Sequence, residues 1–390
     1  MIKYSQQDIS AEDIQAVVDA LKGDLLTQGP LLVKFESKIA KRVSARYAIS
    51  TNSATSALHL SCIALGLKKG DIVWTSPISF VASANCALYC KASVDFVDID
   101  PDTALMSVDL LEIKLKHAEK IGKLPKILIP VHLAGSICNM KRINQLSKKY
   151  GFAVIEDASH AIGATYFDQP VGNCQYSDIT IFSFHPVKVM TTLEGGIAVT
   201  NNKLLADKIS KLRGHGITRE TDEFELERPG PWYYEQQDLG FNYRFNEIQA
   251  ALGISQLSRL DDFLVKRHLL MKNYEDAFND SPNIKFLLQP EGTYSAYHLA
   301  IVSIMKASKD QHRNLFNYMR KNDIFVQLHY WPIHLHPFYR RMGFQEGDYP
   351  NSERYGVTSF SMPLYTSLEL ETQKKVIEIF KKGIVEMNLI

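Results

Sequence analysis

In ITIFSFHPVK, residues 179–188, a short run of β-branched and aromatic residues meets a proline, and two positions later stands a lysine. Ile179, Thr180, Ile181 and Phe182 read as a buried strand. Pro186 ends it soon after Ser183, because proline has no N–H to donate to a ladder and restricts the residue before it. Lys188 therefore falls on the connection leaving the carboxyl end of a strand, which in an open α/β sheet is where ligands bind. A lysine there serves as a salt-bridge partner, a phosphate contact or an amine nucleophile. Elsewhere on a soluble protein it is usually a solvated charge.

Working outward, further strand-like runs appear: IVWTS at 72–76, SVDFVDI at 93–99, KILIPV at 126–131, FAVIED at 152–157, ITIFSF at 179–184 and GIAVT at 196–200. Helical patterns separate them, which predicts a mostly parallel sheet covered by helices on both faces. Ser10 followed by Glu12 and Asp13 has the form of a capping box, and Ile14, Val17, Val18 and Leu21 recur at helical spacing before Gly23, giving an amphipathic first helix. From Arg244 to about Phe278 no proline interrupts a helical pattern, and one long helix is expected. The later segments HLAIVSIM and IFVQLHY, a polar helix near 308–321 and a terminal helix from about Leu370 predict a smaller α+β unit. The expected division is a large domain over 1–245 and, over 246–390, a linking helix and a small domain.

The 390 residues are 45% hydrophobic and 22% charged, enough for a large core, and the formal charge of +1 gives no electrostatic footprint for nucleic acid or an anionic membrane. No run of about eighteen apolar residues occurs and MIKYSQQDIS has no apolar leader core, so the expectation is a cytoplasmic protein acting on small molecules. The five cysteines, Cys62, Cys86, Cys90, Cys138 and Cys174, form no CxxC pair; buried or inert thiols are expected, with no metal site.

Three stretches give Lys188 its company. In STNSATSALHL, Ser53, Ala54, Thr55 and Ser56 precede a helix expected to begin near Ala57. Small residues and hydroxyls at a helix start either cap it or hold a phosphate on free amides and the dipole. In VIEDASHAIGA, Asp157 ends an apolar strand and either caps the next helix or partners a positively charged ring nitrogen. His160 shares its face. In TSPISFVASAN, Phe80 is either core or a stacking platform for a planar cofactor. Phosphate amides, an aromatic platform, an acid for a ring nitrogen and an amine nucleophile are together what pyridoxal 5′-phosphate (PLP) asks of a protein.

The set NSATSALHL, SPISFVASAN, IEDASHAIGA, SFHPVK followed by EGG, LRGHGI and GFNYRFNEIQAALG, with LTQGP at 26–30 and QLHYWPIH at 327–334, resembles the DegT/DnrJ/EryC1/StrS nucleotide-sugar aminotransferases across nearly the whole chain. The resemblance implies an α/β PLP-dependent transferase of fold type I, aspartate aminotransferase-like. It makes Lys188 the residue that bonds the cofactor and moves the proton, Asp157 the partner of the pyridine nitrogen and His160 a neighbour of the phenolic oxygen. Phe80 stacks on the ring, and Ala54, Thr55 and Ser183 contact the phosphate. Asn242 reaches in from a second subunit, which implies a homodimer with shared active sites. Thr27, Gln28, His215, Arg219, His329 and Tyr330 are similar to positions on the sugar-nucleotide side. Within the family, the wording of NSATSAL, PISFVA, TTLEGG and HYWPI is similar to the aminotransferases of pseudaminic acid biosynthesis. That implies L-glutamate as amino donor and a UDP-linked 4-keto-6-deoxy-N-acetylhexosamine as acceptor. The motifs leave dTDP- or GDP-linked keto sugars, or a 3-keto sugar, as alternatives, and a PLP- or nucleotide-sugar-binding regulator as the non-enzymatic one.

Overall fold

A computed structural model describes residues 1–389. Seven strands form the main sheet: β1 (Tyr47–Thr51), β2 (Ile72–Thr75), β3 (Ser93–Phe96), β4 (Ile127–Ile129), β5 (Ala153–Asp157), β6 (Ile179–Ser183) and β7 (Gly196–Thr200). Their order across the sheet is β1-β7-β6-β5-β4-β2-β3. β7 runs antiparallel to both its neighbours, and the other pairs are parallel. Every residue of β6 and of β7 is buried, as expected of strands covered on both faces. The six sequence-predicted strands are all present, each ending within a few residues of its expected bounds. β1 was not expected. It is a five-residue edge strand containing two hydroxyl residues, Ser50 and Thr51, so it carries a weak apolar signal.

The connection from β6 to β7 folds back on itself. The Phe184 N–H donates to the Gly195 carbonyl and the Thr192 N–H to the Phe184 carbonyl, so Lys188 sits on a closed loop at the end of the sheet. Helix α1 (Ala54–Ala64) lies beneath that loop and is buried on nearly every side. It begins at Ala54, three residues before the expected start, because Ser53 caps it by accepting from the Ser56 N–H at 3.1 Å. Gly196 is required where β7 meets this helix: a Cβ there would lie 2.3 Å from the Ala54 nitrogen.

The run after Arg244 is two helices, Glu247–Ser258 and Leu260–Phe278, where one was expected. Arg259 turns the chain between them while its guanidinium bonds Asp8 at 2.9 Å and Asp13 at 2.7 Å. Glu247, fully buried, accepts from the N–H groups of Gly29, Leu31 and Leu32 at 2.8–3.1 Å and so caps the helix Pro30–Val43. The first helix, Ala11–Leu21, has its capping box, but Asp13 faces inward and Ile14 and Leu21 face outward. With Leu25, Leu26 and Val33 they leave an exposed apolar surface. A three-stranded antiparallel sheet, Ile284–Phe286, Ala300–Ile304 and Ser359–Met362, organises a smaller core around Tyr274, Val302, Phe360 and Phe380. The amino-terminal pair Ile2–Lys3 adds in parallel to Ile324–Phe325. Among the described residues no helix is long and apolar enough to cross a membrane, and no group of His, Cys, Asp or Glu is arranged to hold a metal ion.

Candidate active site

A cavity of about 590 Å³ opens at the carboxyl ends of β5 and β6. Nine of the sequence-predicted residues line it: Ala54, Thr55, Phe80, Asp157, His160, Ser183, Lys188, His329 and Tyr330. Lys188 is half-buried, and among the described residues its amine has no hydrogen bond or ion pair. Burial lowers it from the usual lysine range to about 8, although Asp157 pulls the other way. An amine in that range is partly unprotonated near neutral pH and able to act as nucleophile or base.

Asp157 ends β5 with its carboxylate held from two sides, by Ser83 Oγ at 2.6 Å and the Ser159 N–H at 3.1 Å. A carboxylate accepts at about four lone-pair positions, so acceptor capacity remains for a donor in the cavity. His160 Nδ1 accepts from the Ala134 N–H at 3.2 Å, which leaves the proton of the neutral ring on Nε2, 3.3 Å from the Tyr330 hydroxyl. Burial, then Lys188 and His329, hold His160 well below its ordinary pKa, so the ring stays neutral. His329 is pushed down to about 3 by burial and by Lys188, and its Nδ1 bonds Ser361 Oγ at 2.8 Å. Burial raises the Tyr330 hydroxyl above its usual value. Phe80 is 58% exposed, with a ring face free beside Tyr330 at 6.3 Å between centroids. At the start of α1 the N–H groups of Ala54 and Thr55 have no partner among the described residues, and both residues line the cavity together with Ser183 and Lys188, a helix start suited to an anion.

The remaining predicted residues lie elsewhere in the chain. Gln28, His215 and Arg219 line a separate cavity of about 670 Å³ with Arg244. Thr27 bridges to Asn246 and Asn242 to Gly214, and Asn242 is exposed. Conversely, sequence reasoning passed over Tyr4, Ser83 and His298. Ser83 stood in the quoted VASAN segment, where a hydroxyl three residues after Phe80 was the available signal. Tyr4 and His298 had none, since the fold brings them in from distant segments.

The chain matches the DegT/DnrJ/EryC1/StrS aminotransferase family over residues 7–381. It belongs to that family. A UDP-4-amino-4,6-dideoxy-N-acetyl-β-L-altrosamine transaminase of Campylobacter jejuni is 36% identical over 390 residues, covering 98% of this chain and 99% of the relative. The structure of PseC from Helicobacter pylori, an aminotransferase involved in the biosynthesis of pseudoaminic acid, superposes with a TM-score of 0.90 at 29% identity, covering 99% of each chain. The PMP form of Spr1654 from Streptococcus pneumoniae, a putative sugar aminotransferase, gives the same TM-score and identity over 99% of this chain and 100% of that one. The fold is that of the fold-type I sugar aminotransferases, and PLP is the cofactor. The cavity fits it on its own chemistry: an unpaired amine, a carboxylate with spare acceptor capacity, two free amides at a helix start and a ring face open to stacking.

Proposed function

We propose that this aminotransferase moves an amino group from L-glutamate to C4 of a UDP-linked 4-keto-6-deoxy-N-acetylhexosamine, in pseudaminic acid biosynthesis, as a homodimer with shared sites. The observation that carries the amino-transfer chemistry is the Lys188 amine at about 8, unpaired and beside Asp157. The sugar assignment draws its support from the full-length similarity to the Campylobacter enzyme of that activity.

When bound, PLP supplies an aldehyde that exchanges amines and a ring that withdraws electrons from the carbon losing its proton. Lys188 would hold the cofactor, and its amine is the group placed to take the proton from the amino acid's Cα and to return a proton to C4 of the sugar. Asp157 keeps the ring nitrogen protonated. The His160 Nε2–H, which lies 3.3 Å from the Tyr330 hydroxyl, would turn to the phenolic oxygen of the bound cofactor. Ala54, Thr55 and Ser183 would hold the phosphate, Phe80 would stack on the ring, and His329 and Tyr330 would face the sugar. Thr27, Gln28, His215, Arg219 and Asn242 serve the partner's cavity in this reading, which accounts for their distance from Lys188 in their own chain. The outward-facing Ile14, Leu21, Leu25, Leu26 and Val33 favour a second copy as their cover.

Absorbance spectroscopy tests the reaction. The visible band of the cofactor-loaded protein should bleach with L-glutamate and return with the UDP-linked 4-keto-6-deoxy-N-acetylhexosamine; return only with a dTDP- or GDP-linked keto sugar overturns the substrate. Mixed dimers test the shared site. Lys188→Ala and Asn242→Asp chains, each inactive or impaired alone, should regain activity after subunit exchange, because one site of the hybrid has both native residues. If Asn242 served its own chain, exchange would restore nothing.

A further inference from the structure

His298 lines the cavity and has no part in the roles above. It is 2% exposed and lies just before the strand Ala300–Ile304. Its backbone is fixed from both ends: the N–H donates to the Ala134 carbonyl at 2.8 Å, and its carbonyl accepts from Arg267 at 3.2 Å. Arg267 is itself buried, and one of its nitrogens also donates to the carbonyls of Tyr297 at 3.2 Å and Leu364 at 3.1 Å. Among the described residues it has no carboxylate partner. A guanidinium taken out of water for three carbonyls is costly to bury. What it secures is the join between the helix Leu260–Phe278, the 297–298 segment and the chain after Met362, and hence the place of the His298 ring against His160, 4.4 Å away between centroids.

The two ring nitrogens of His298 differ. Nδ1 is sealed from solvent and has no hydrogen-bond partner among the described residues, so Nε2 is the nitrogen that opens on the cavity. Burial, with His160, Lys188, Arg267 and His329 around it, keeps the ring neutral, far below its ordinary pKa. A neutral imidazole has one proton to place. A sealed N–H without an acceptor is among the rarest arrangements in folded proteins, whereas an unpaired lone pair is tolerated more often. The proton therefore belongs on Nε2, directed into the cavity.

We propose that His298 is a ligand-binding residue of this site, donating its Nε2–H to an anionic oxygen of the bound molecule, with Arg267 as the residue that positions it. Two such oxygens enter this cavity on the reading above, on which the proposal rests: the phenolic oxygen of the cofactor and a carboxylate of the amino donor.

Three preparations separate them: wild type, His298→Leu, and His298→Gln, whose amide N–H reaches to about the Nε2 position. In each, the acid–base midpoint of the visible band and the inhibition constant of glutarate, an unreactive dicarboxylate, are measured. A donor to the phenolic oxygen shows as a midpoint raised by about half a unit or more in His298→Leu. A donor to the carboxylate shows as a glutarate constant weakened about tenfold. His298→Gln should restore whichever changed. If neither quantity moves in a cofactor-loaded His298→Leu protein, or if the glutamine variant behaves like the leucine one, the proposal is wrong. Nitrogen-15 shifts of the wild-type imidazoles need no variant to fold: an Nδ1–H tautomer at His298 also overturns it. A wild-type protein that gains no visible band with supplied PLP instead defeats the reading of the cavity as the cofactor site.

Discussion

Lys188→Ala is expected to fold, to bind PLP without a covalent bond and to lose transamination by about 10⁴-fold or more, since nucleophile and proton carrier disappear together. The expectation rests on the poverty of alternatives. Among the described residues no other amine lines the cavity. The buried imidazoles of the cavity, His160, His298 and His329, are held neutral far below the usual histidine range and are weak bases. The truncation removes a half-buried side chain that makes no hydrogen bond or ion pair among the described residues, so its cost to the fold is small and the loss is chemical. Borohydride trapping gives the check: wild type fixes the cofactor to the peptide containing residue 188, and the variant fixes none. A turnover in Lys188→Ala above a trace of wild type would remove the lysine from its role.

The parts of this molecule that were readable in its sequence are those where local composition and tertiary environment agree. β6 and β7 are buried on both faces, and their residues are uniformly suited to it. Asp157 and Lys188 could be picked out because each is an ionisable group at the exit of such a strand. β1 escaped because an edge strand paired on one side needs fewer apolar residues. The break at Arg259 has no proline or glycine to announce it; its cause is an ion-pair set with Asp8 and Asp13, more than two hundred residues earlier in the chain. The same set explains the first helix. Periodicity found its apolar stripe but not its direction, which is decided by Asp13 being drawn inward to Arg259 and Gln256. In the site, Tyr4 depends on the pairing of Ile2–Lys3 with Ile324–Phe325, a contact between segments more than three hundred residues apart that no local pattern encodes.

Asp157→Asn tests the second pillar of the chemistry, and it predicts two effects of opposite kind. The amide is isosteric and can still accept from one of the two donors, Ser83 Oγ or the Ser159 N–H, but its NH₂ then faces the other. The fold should survive with a modest loss of stability. The rate should fall by about 10²–10³-fold, because the charge that keeps the ring nitrogen protonated is gone. The second effect is on Lys188. Asp157 is the group that raises its amine against burial. Below its pKa of about 8 the amine is protonated and unreactive, and above it the free amine is the nucleophile. Removing the nearby negative charge destabilises the ammonium form, so the midpoint must move down. In cofactor-free protein, the pH dependence of Lys188 acylation should therefore centre near 8 for wild type and lower for Asp157→Asn. A slow variant with an unmoved midpoint would mean that the carboxylate acts on the ring alone, and a midpoint moved upward would mean that the charge coupling between Asp157 and Lys188 has been assigned the wrong sign.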